Sequence, residues 1–189
     1  MAVSSSLSIK DNVLISCNKN ATNEVISNGV TRIDNHAFEN CRSLTTIKLP
    51  NTLKEIGERA FSNCKSLTSI IIPDSVIEIG VCAFAYCDLL SSIVISKNVV
   101  HLDAFAFQAC PITNFIIPKT IKSIGTGIFC DCSFLESIKY YGSIKQFEKI
   151  NGINNFLYGS PLSKVVLLNE QDQPMYEWHD SKHPEVKIW

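Results

Sequence analysis

Eight cysteines and four histidines are the side chains of this chain best suited to bind a metal, carry redox chemistry or act as a nucleophile. Their spacing decides which of these they can do. His179 and His183 stand four residues apart, which on a helix would suit a shared metal ion. No glutamate follows the first histidine and no third ligand is evident, so the segment reads as a solvated tail. Cys82 with Cys87, and Cys130 with Cys132, lack zinc-knuckle spacing. His101 and Asp103 are close in sequence, but side chains two apart point differently and no nucleophile accompanies them. There is no Gly-x-Ser-x-Gly elbow, no phosphate-binding glycine loop and no recurrent pair of carboxylates. The expectation is a protein without catalytic activity and without a metal or organic cofactor.

Composition narrows the class. With 46% hydrophobic and 19% charged residues, the 189-residue chain is an ordinary folding sequence and not a disordered one. A net charge of −1 gives no bulk attraction to nucleic acid or an anionic membrane. No apolar run approaches the roughly 18 residues of a membrane span. Met1 to Ser8 has no basic stretch followed by an apolar one, so no signal peptide is read there.

Most cysteines are claimed by a repeat. Ala-Phe-x-x-Cys occurs as Ala37-Phe38…Cys41, Ala60-Phe61…Cys64, Ala83-Phe84…Cys87 and Ala106-Phe107…Cys110, with Ile128-Phe129…Cys132 as a fifth copy. The phenylalanines step by 23, 23, 23 and 22 residues. A fixed period of this size is the mark of a solenoid, each repeat forming one coil stacked on the last. Cys41, Cys64, Cys87, Cys110 and Cys132 then form a column where a small buried apolar residue is wanted. A ladder of equivalent residues has no natural disulfide pairing, so reduced structural thiols are expected. Cys17, Cys82 and Cys130 lie off the column and are the more reactive candidates.

The strand half of each repeat reads Leu-x-x-Ile-x-Ile-Pro, as in Leu67…Ile70-Ile71-Ile72-Pro73. Alternation sends Ile70 and Ile72 inward and Ile71 outward. The proline stops the strand, having no N–H to extend the ladder. In the other half Ile56-Gly57, Ile79-Gly80 and Ile124-Gly125 match Ile33-Asp34 and Leu102-Asp103. Glycine alternating with aspartate suggests a left-handed or otherwise tight backbone. Ile56, Ala60, Phe61 and Cys64 suit one apolar face of a short helical or irregular turn.

The pattern Ile-Gly-x-x-Ala-Phe-x-x-Cys-x-x-Leu-x-x-Ile-x-Ile-Pro over residues 23–141 resembles the BspA-type (Treponema pallidum type) leucine-rich repeat family. Ser96 in place of proline, Asp34 and Asp103 in place of glycine, and Ile128 in place of alanine are its departures. The resemblance implies an α/β, right-handed solenoid with a parallel sheet on its concave side, here of about six to seven coils. It also implies the cell-surface adhesion and host-protein binding found in many members. Surface location follows from the resemblance. Unpaired thiols and the missing leader point instead to the cytosol, or to a trimmed leader.

Residues 1–22 read as an N-terminal cap, with a hairpin turning at Asp11-Asn12. Residues 23–168 are the solenoid. Within it Ser143 and Gln146 form a capping box for a short helix carrying Ile144, Phe147 and Ile150 toward the core. Leu162…Val165-Val166-Leu167 restores the strand for a last, longer coil. Residues 169–189 are a C-terminal cap or tail, with Met175 to Trp189 either a hairpin cover or frayed.

The residues the repeat leaves free define the candidate site. The outward column is Val25, Lys48, Ile71, Val94, Ile116, Lys139 and Val166. Beside it runs a polar column of Asn23, Thr46, Ser69, Ser92, Asn114 and Ser137. An apolar strip beside a hydrogen-bonding ladder suits a polypeptide partner. The competing explanation is that β-branched residues simply favour strands. The reading is a monomeric, non-catalytic module that binds a protein or peptide through Thr46, Lys48, Ser69, Ile71, Ser92, Val94, Asn114, Ile116, Ser137 and Lys139. Edge-to-edge association is the alternative to a monomer. A spacer or fragment of a larger surface protein is the alternative function, and a thiol-redox or metal protein the remote one.

Overall fold

In a computed structural model, which describes residues 6–162, 164–168, 173–179 and 187–188, the chain winds as a stack of coils. A hairpin opens it, β1 (Leu7–Lys10) against β2 (Val13–Cys17). Asp11 and Asn12 at its turn have φ of 50° and 62°. That is the two-residue turn whose twist matches the strands. Strands then alternate between two faces. One face takes β3 (Asn23–Val25), β5 (Thr46–Lys48), β7 (Ser69–Ile71), β9 (Ser92–Val94), β11 (Asn114–Ile117), β13 (Ser137–Tyr140) and β14 (Lys164–Leu168). The other takes β4 (Arg32–Ile33), β6 (Glu55–Ile56), β8 (Glu78–Ile79), β10 (His101–Leu102) and β12 (Ser123–Ile124). After β14 the chain turns back antiparallel through β15 (Pro174–His179) and β16 (Lys187–Ile188). His183 and Trp189 lie outside the described residues.

Of the helical or irregular turn expected over Ile56, Ala60, Phe61 and Cys64, the irregular turn is present at Ala60 and Phe61, whereas Ile56 and its counterparts lie in strands. Ile33, Ile56, Ile79, Leu102 and Ile124 are strand residues in a seven-stranded sheet, β1-β2-β4-β6-β8-β10-β12. Among the described residues helix is confined to α1 (Ile144–Phe147), which carries the expected Ser143/Gln146 capping box and buries Phe147.

The core is the expected spine. Phe38, Phe61, Phe84, Phe107 and Phe129 are fully buried. Their rings stack with centroids 4.8, 5.1, 5.7 and 6.1 Å apart. Ile70 and Ile72 are 2% exposed while Ile71 between them is 71% exposed, as alternation requires.

Between the second sheet and the next strand, each coil makes consecutive tight turns instead of a helix. Two residues per coil take positive φ: His36 and Asn40, Arg59 and Asn63, Cys82 and Tyr86, Phe105 and Ala109. The left-handed conformation turns their N–H groups along the stack. His36 donates to Glu58 O at 2.9 Å, Asn40 to Ser62 O at 2.8 Å and Tyr86 to Gln108 O at 2.8 Å. Each such residue costs roughly 1–2 kcal/mol. The inter-coil bond it makes returns about 1 kcal/mol net and avoids a buried unpaired donor.

This overturns the reading of the glycine–aspartate column as left-handed. Gly57, Gly80 and Gly125 do not have positive φ; the left-handed residue follows two positions later. Glycine is there because the preceding coil presses on it. A Cβ at Gly125 would lie 2.1 Å from Ala104 N, and one at Gly80 2.9 Å from Glu58 N.

The sheet on the first face is not continuous. It divides into β3-β5, β7-β9 and β11-β13-β14-β15-β16. The gap between β9 and β11 coincides with a change in the repeat. Elsewhere Cys-x-x-Leu makes a turn, with Leu67 N–H donating to Cys64 O and Leu90 N–H to Cys87 O. The fourth coil has only Cys110-Pro111-Ile112, one residue fewer, and lacks that turn. Here the inward position holds Phe115, where neighbouring coils have isoleucine. Its ring fills the widened core 5.4 Å from Phe107 and 4.8 Å from Phe129. The gap between β5 and β7 falls between coils of equal length.

Two stability predictions follow from this packing. Phe84→Ala should lower unfolding free energy by roughly 3–5 kcal/mol in a denaturant titration, being at the middle of the ring stack. Gly125→Ala should cost about 1–3 kcal/mol in the same measurement, because its methyl meets backbone that cannot move aside.

Candidate functional site

Alternation places the outward column on solvent. Val25 is 69% exposed, Val94 56% and Ile116 52%. Lys48 is exposed at one end of the Ile71, Val94, Ile116 run, while Lys139 at the other end and Val166 beyond it are half-buried. These are large apolar side chains without cover, in line across successive coils.

The polar column runs beside them, and its ends are satisfied from within. Thr46 Oγ1 donates to Asn23 Oδ1 at 2.7 Å. Ser137 Oγ donates to Asn114 Oδ1 at 2.6 Å. Among the described residues the hydroxyls of Ser69 and Ser92 have no side-chain partner, and they flank Ile71 and Val94. Hydrogen-bonding capacity is therefore open where apolar exposure is greatest.

Where the sheet divides between β9 and β11, the surface opens into a cleft of about 650 Å³. Val94, Ile116 and Tyr141 give it apolar walls, with Asn98, Asn114 and Lys97 at its polar margin. Lys97 Nζ lies 3.1 Å from Asp74 Oδ2 in an exposed pair. The cleft went unseen in the sequence, although the missing residue that accompanies it is visible in the shortened repeat.

The other candidates resolve differently. His101 Nδ1 bonds Ser123 Oγ at 2.7 Å on the exposed second sheet, a partner that cross-coil register supplies and sequence proximity hid. Burial, and then the charge of Glu78, raise the pKa of Asp103 above the usual carboxylate value, with His101 opposing. Among the described residues no three metal-ligating side chains cluster.

The cysteine column is more than small and apolar. Cys64, Cys87, Cys110 and Cys132 direct their thiols to the carbonyl oxygens of Phe38, Phe61, Phe84 and Phe107 at 3.1–3.3 Å. Each S–H thus bonds a carbonyl of the preceding coil. Cys130 is buried and Cys82 half-buried. Cys17 lies off the column, in the hairpin, but its buried thiol faces the same Asn18 O as the thiol of Cys41. Burial pushes Cys64 well above the ordinary thiol range, and pushes Cys132 up to about 11.

Stacked coils joined strand to strand, with a column of exposed side chains left outside the repeat, define a solenoid repeat protein. The BspA type leucine rich repeat region matches in six copies over residues 7–136 and 63–170, and the chain belongs to that family. Solved structures of similar fold include a leucine rich cell surface protein from Faecalibacterium prausnitzii. It is 17% identical with a TM-score of 0.53, over 96% of this chain and 58% of that one. The pneumococcal vaccine antigen PcpA is 21% identical with a TM-score of 0.58, over 79% of this chain and 34% of its own. The chain thus spans little more than half, and about a third, of these two proteins. No curated protein matches it. Among the described residues, no helix is long and apolar enough to cross a membrane.

The raised thiols predict an alkaline limit. Protonated thiols are favoured in the folded state, so stability should hold below the ordinary thiol pKa near 9. It should then fall as pH climbs toward about 11, the folded value for Cys132. Thermal melts across that range should show the decline, and it should shrink in Cys132→Ala relative to that variant's own melt at pH 8.

Proposed function

We propose that the chain is a non-catalytic recognition module that binds an extended segment of a protein partner across its β3–β14 face. The observation that carries this reading is the uncovered line of Ile71, Val94 and Ile116 leading into the cleft beside β9. Strand propensity accounts for β-branched residues in a strand, but not for the cleft or for Tyr141 on its wall. The free hydroxyls of Ser69 and Ser92 offer hydrogen bonds to a peptide backbone, and Lys48 and Lys139 bracket the strip. Residues 23–168 form the binding array in this reading, with residues 1–22 and 169–189 as its covers.

Two of the similar structures are a cell surface protein and a vaccine antigen by name. They support a surface setting in which this face meets proteins outside the cell. The chain's partial coverage of both also favours a second reading, in which it is one stretch of a longer surface protein and acts as a spacer.

The test uses a random peptide display library selected on the immobilised chain. Peptides enriched on the wild type should lose about 30-fold or more in affinity for Ile71→Asp with Val94→Asp, a cost of roughly 2 kcal/mol or more. The melting temperature should stay nearly unchanged, since both side chains already face water. Undiminished binding by a folded double variant would rule out this face, and absence of any enriched peptide would favour the spacer.

A further inference from the structure

Cys17, at the end of β2, and Cys41, in the first full coil, differ from every other neighbouring pair in the thiol ladder. From Cys64 onward each column thiol has a backbone carbonyl of its own, at 3.1–3.3 Å. Cys17 and Cys41 share one acceptor: both sulfurs point at Asn18 O, from 3.4 and 3.9 Å. That oxygen already accepts the Ala21 N–H at 3.0 Å. The two sulfurs therefore converge on a single, already occupied oxygen. Their side chains converge because Cys17 comes from the hairpin and not from a coil in register. Equivalent residues of parallel coils hold their Cβ atoms side by side, an arrangement ill-suited to the dihedral near 90° of a disulfide. Cys87 and Cys110, by contrast, each keep a carbonyl of their own at 3.1 Å.

We infer that Cys17 and Cys41 are a disulfide-forming site that staples the N-terminal hairpin to the first coil when a disulfide-bearing oxidant is present. Lys19, whose ammonium donates to Glu39 O, lies near enough to favour the anionic form of Cys41. The neighbouring Cys17 thiol favours it more, against the opposing effect of burial, and Cys41 is the attacking sulfur. Its thiolate attacks the oxidant's disulfide and displaces one thiolate, which takes up the proton Cys41 gave up. Cys17, deprotonated in turn, attacks Cys41 Sγ and displaces the second, to which its proton passes. Two thiols become one cystine, and the oxidant's disulfide gains the two electrons and two protons to leave as two thiols.

The bond would close a loop from the cap to the first coil, restricting the unfolded chain and fixing the hairpin that covers the core. The test treats the reduced full chain with oxidised glutathione, then alkylates it in denaturant and weighs it. The expected result is loss of two alkylation sites from the eight cysteines, with one cross-linked peptide joining Cys17 to Cys41. The melting temperature should rise by about 5 °C, reversibly with dithiothreitol. Cys17→Ser and Cys17→Ala should lose both effects, and Cys82→Ser should keep them. Eight reactive thiols after oxidation, a cross-link at Cys87 and Cys110, or glutathione adducts without a cross-link would each overturn the inference.

Discussion

The structure depends on hydrogen bonds that run from coil to coil outside the strands. Within each coil some turn residues bond three residues back, as Glu39 does to His36 O, but those between them have no sequence-local acceptor and would leave their N–H groups unpaired. The chain solves this by forcing two residues per coil into the left-handed region, which turns those groups toward the next coil. Everything else in that half follows. Phenylalanine can stack at about 5 Å because the backbone beneath it is held at that spacing. Glycine is needed at positions 57, 80 and 125 because coils drawn so close leave no room for a Cβ. Cysteine completes the arrangement by supplying a donor that alanine lacks, and by reaching a carbonyl one coil away.

Much of this was legible from periodicity. The phenylalanine column, the inward and outward isoleucines, the hairpin at Asp11-Asn12 and the capping box at Ser143 each rest on a local rule that the tertiary structure did not override. Misreadings came where one signal has two physical causes. Glycine tolerates a left-handed backbone and it tolerates close approach; only coordinates tell which applies at Gly57. The two-residue strands of the second sheet, such as Glu55–Ile56, are too short to show an alternating pattern, so they resembled a turn. The approach of Cys17 to Cys41 was hidden because the hairpin lies outside the period that defines the column.

The candidate surface was legible in part for the same reason. Residues left unconstrained by the repeat are by construction the outward ones, so Ile71 and Val94 could be named from sequence. Their meeting with a cleft could not, because it depends on how the sheet responds to a deletion. The missing residue between Cys110 and Ile112 removes a turn, accompanies the interrupted ladder between β9 and β11, and is compensated inside by the larger ring of Phe115. A change of one residue in the repeat thus alters the surface and the core at the same level of the stack.

That deletion also makes the stack mechanically uneven. Across it the strands of the second sheet, β8, β10 and β12, remain bonded in register, while the opposite face has a seam. A bending load that spreads the first face meets no strand ladder at this level, only side-chain contacts such as the bonds from Thr120 Oγ1 to the carbonyls of Lys97 and Val99, and one applied to the other face must stretch backbone hydrogen bonds. The array is therefore stiffer in one direction of flexure than in the other, and one of the two seams in its softer face coincides with the cleft.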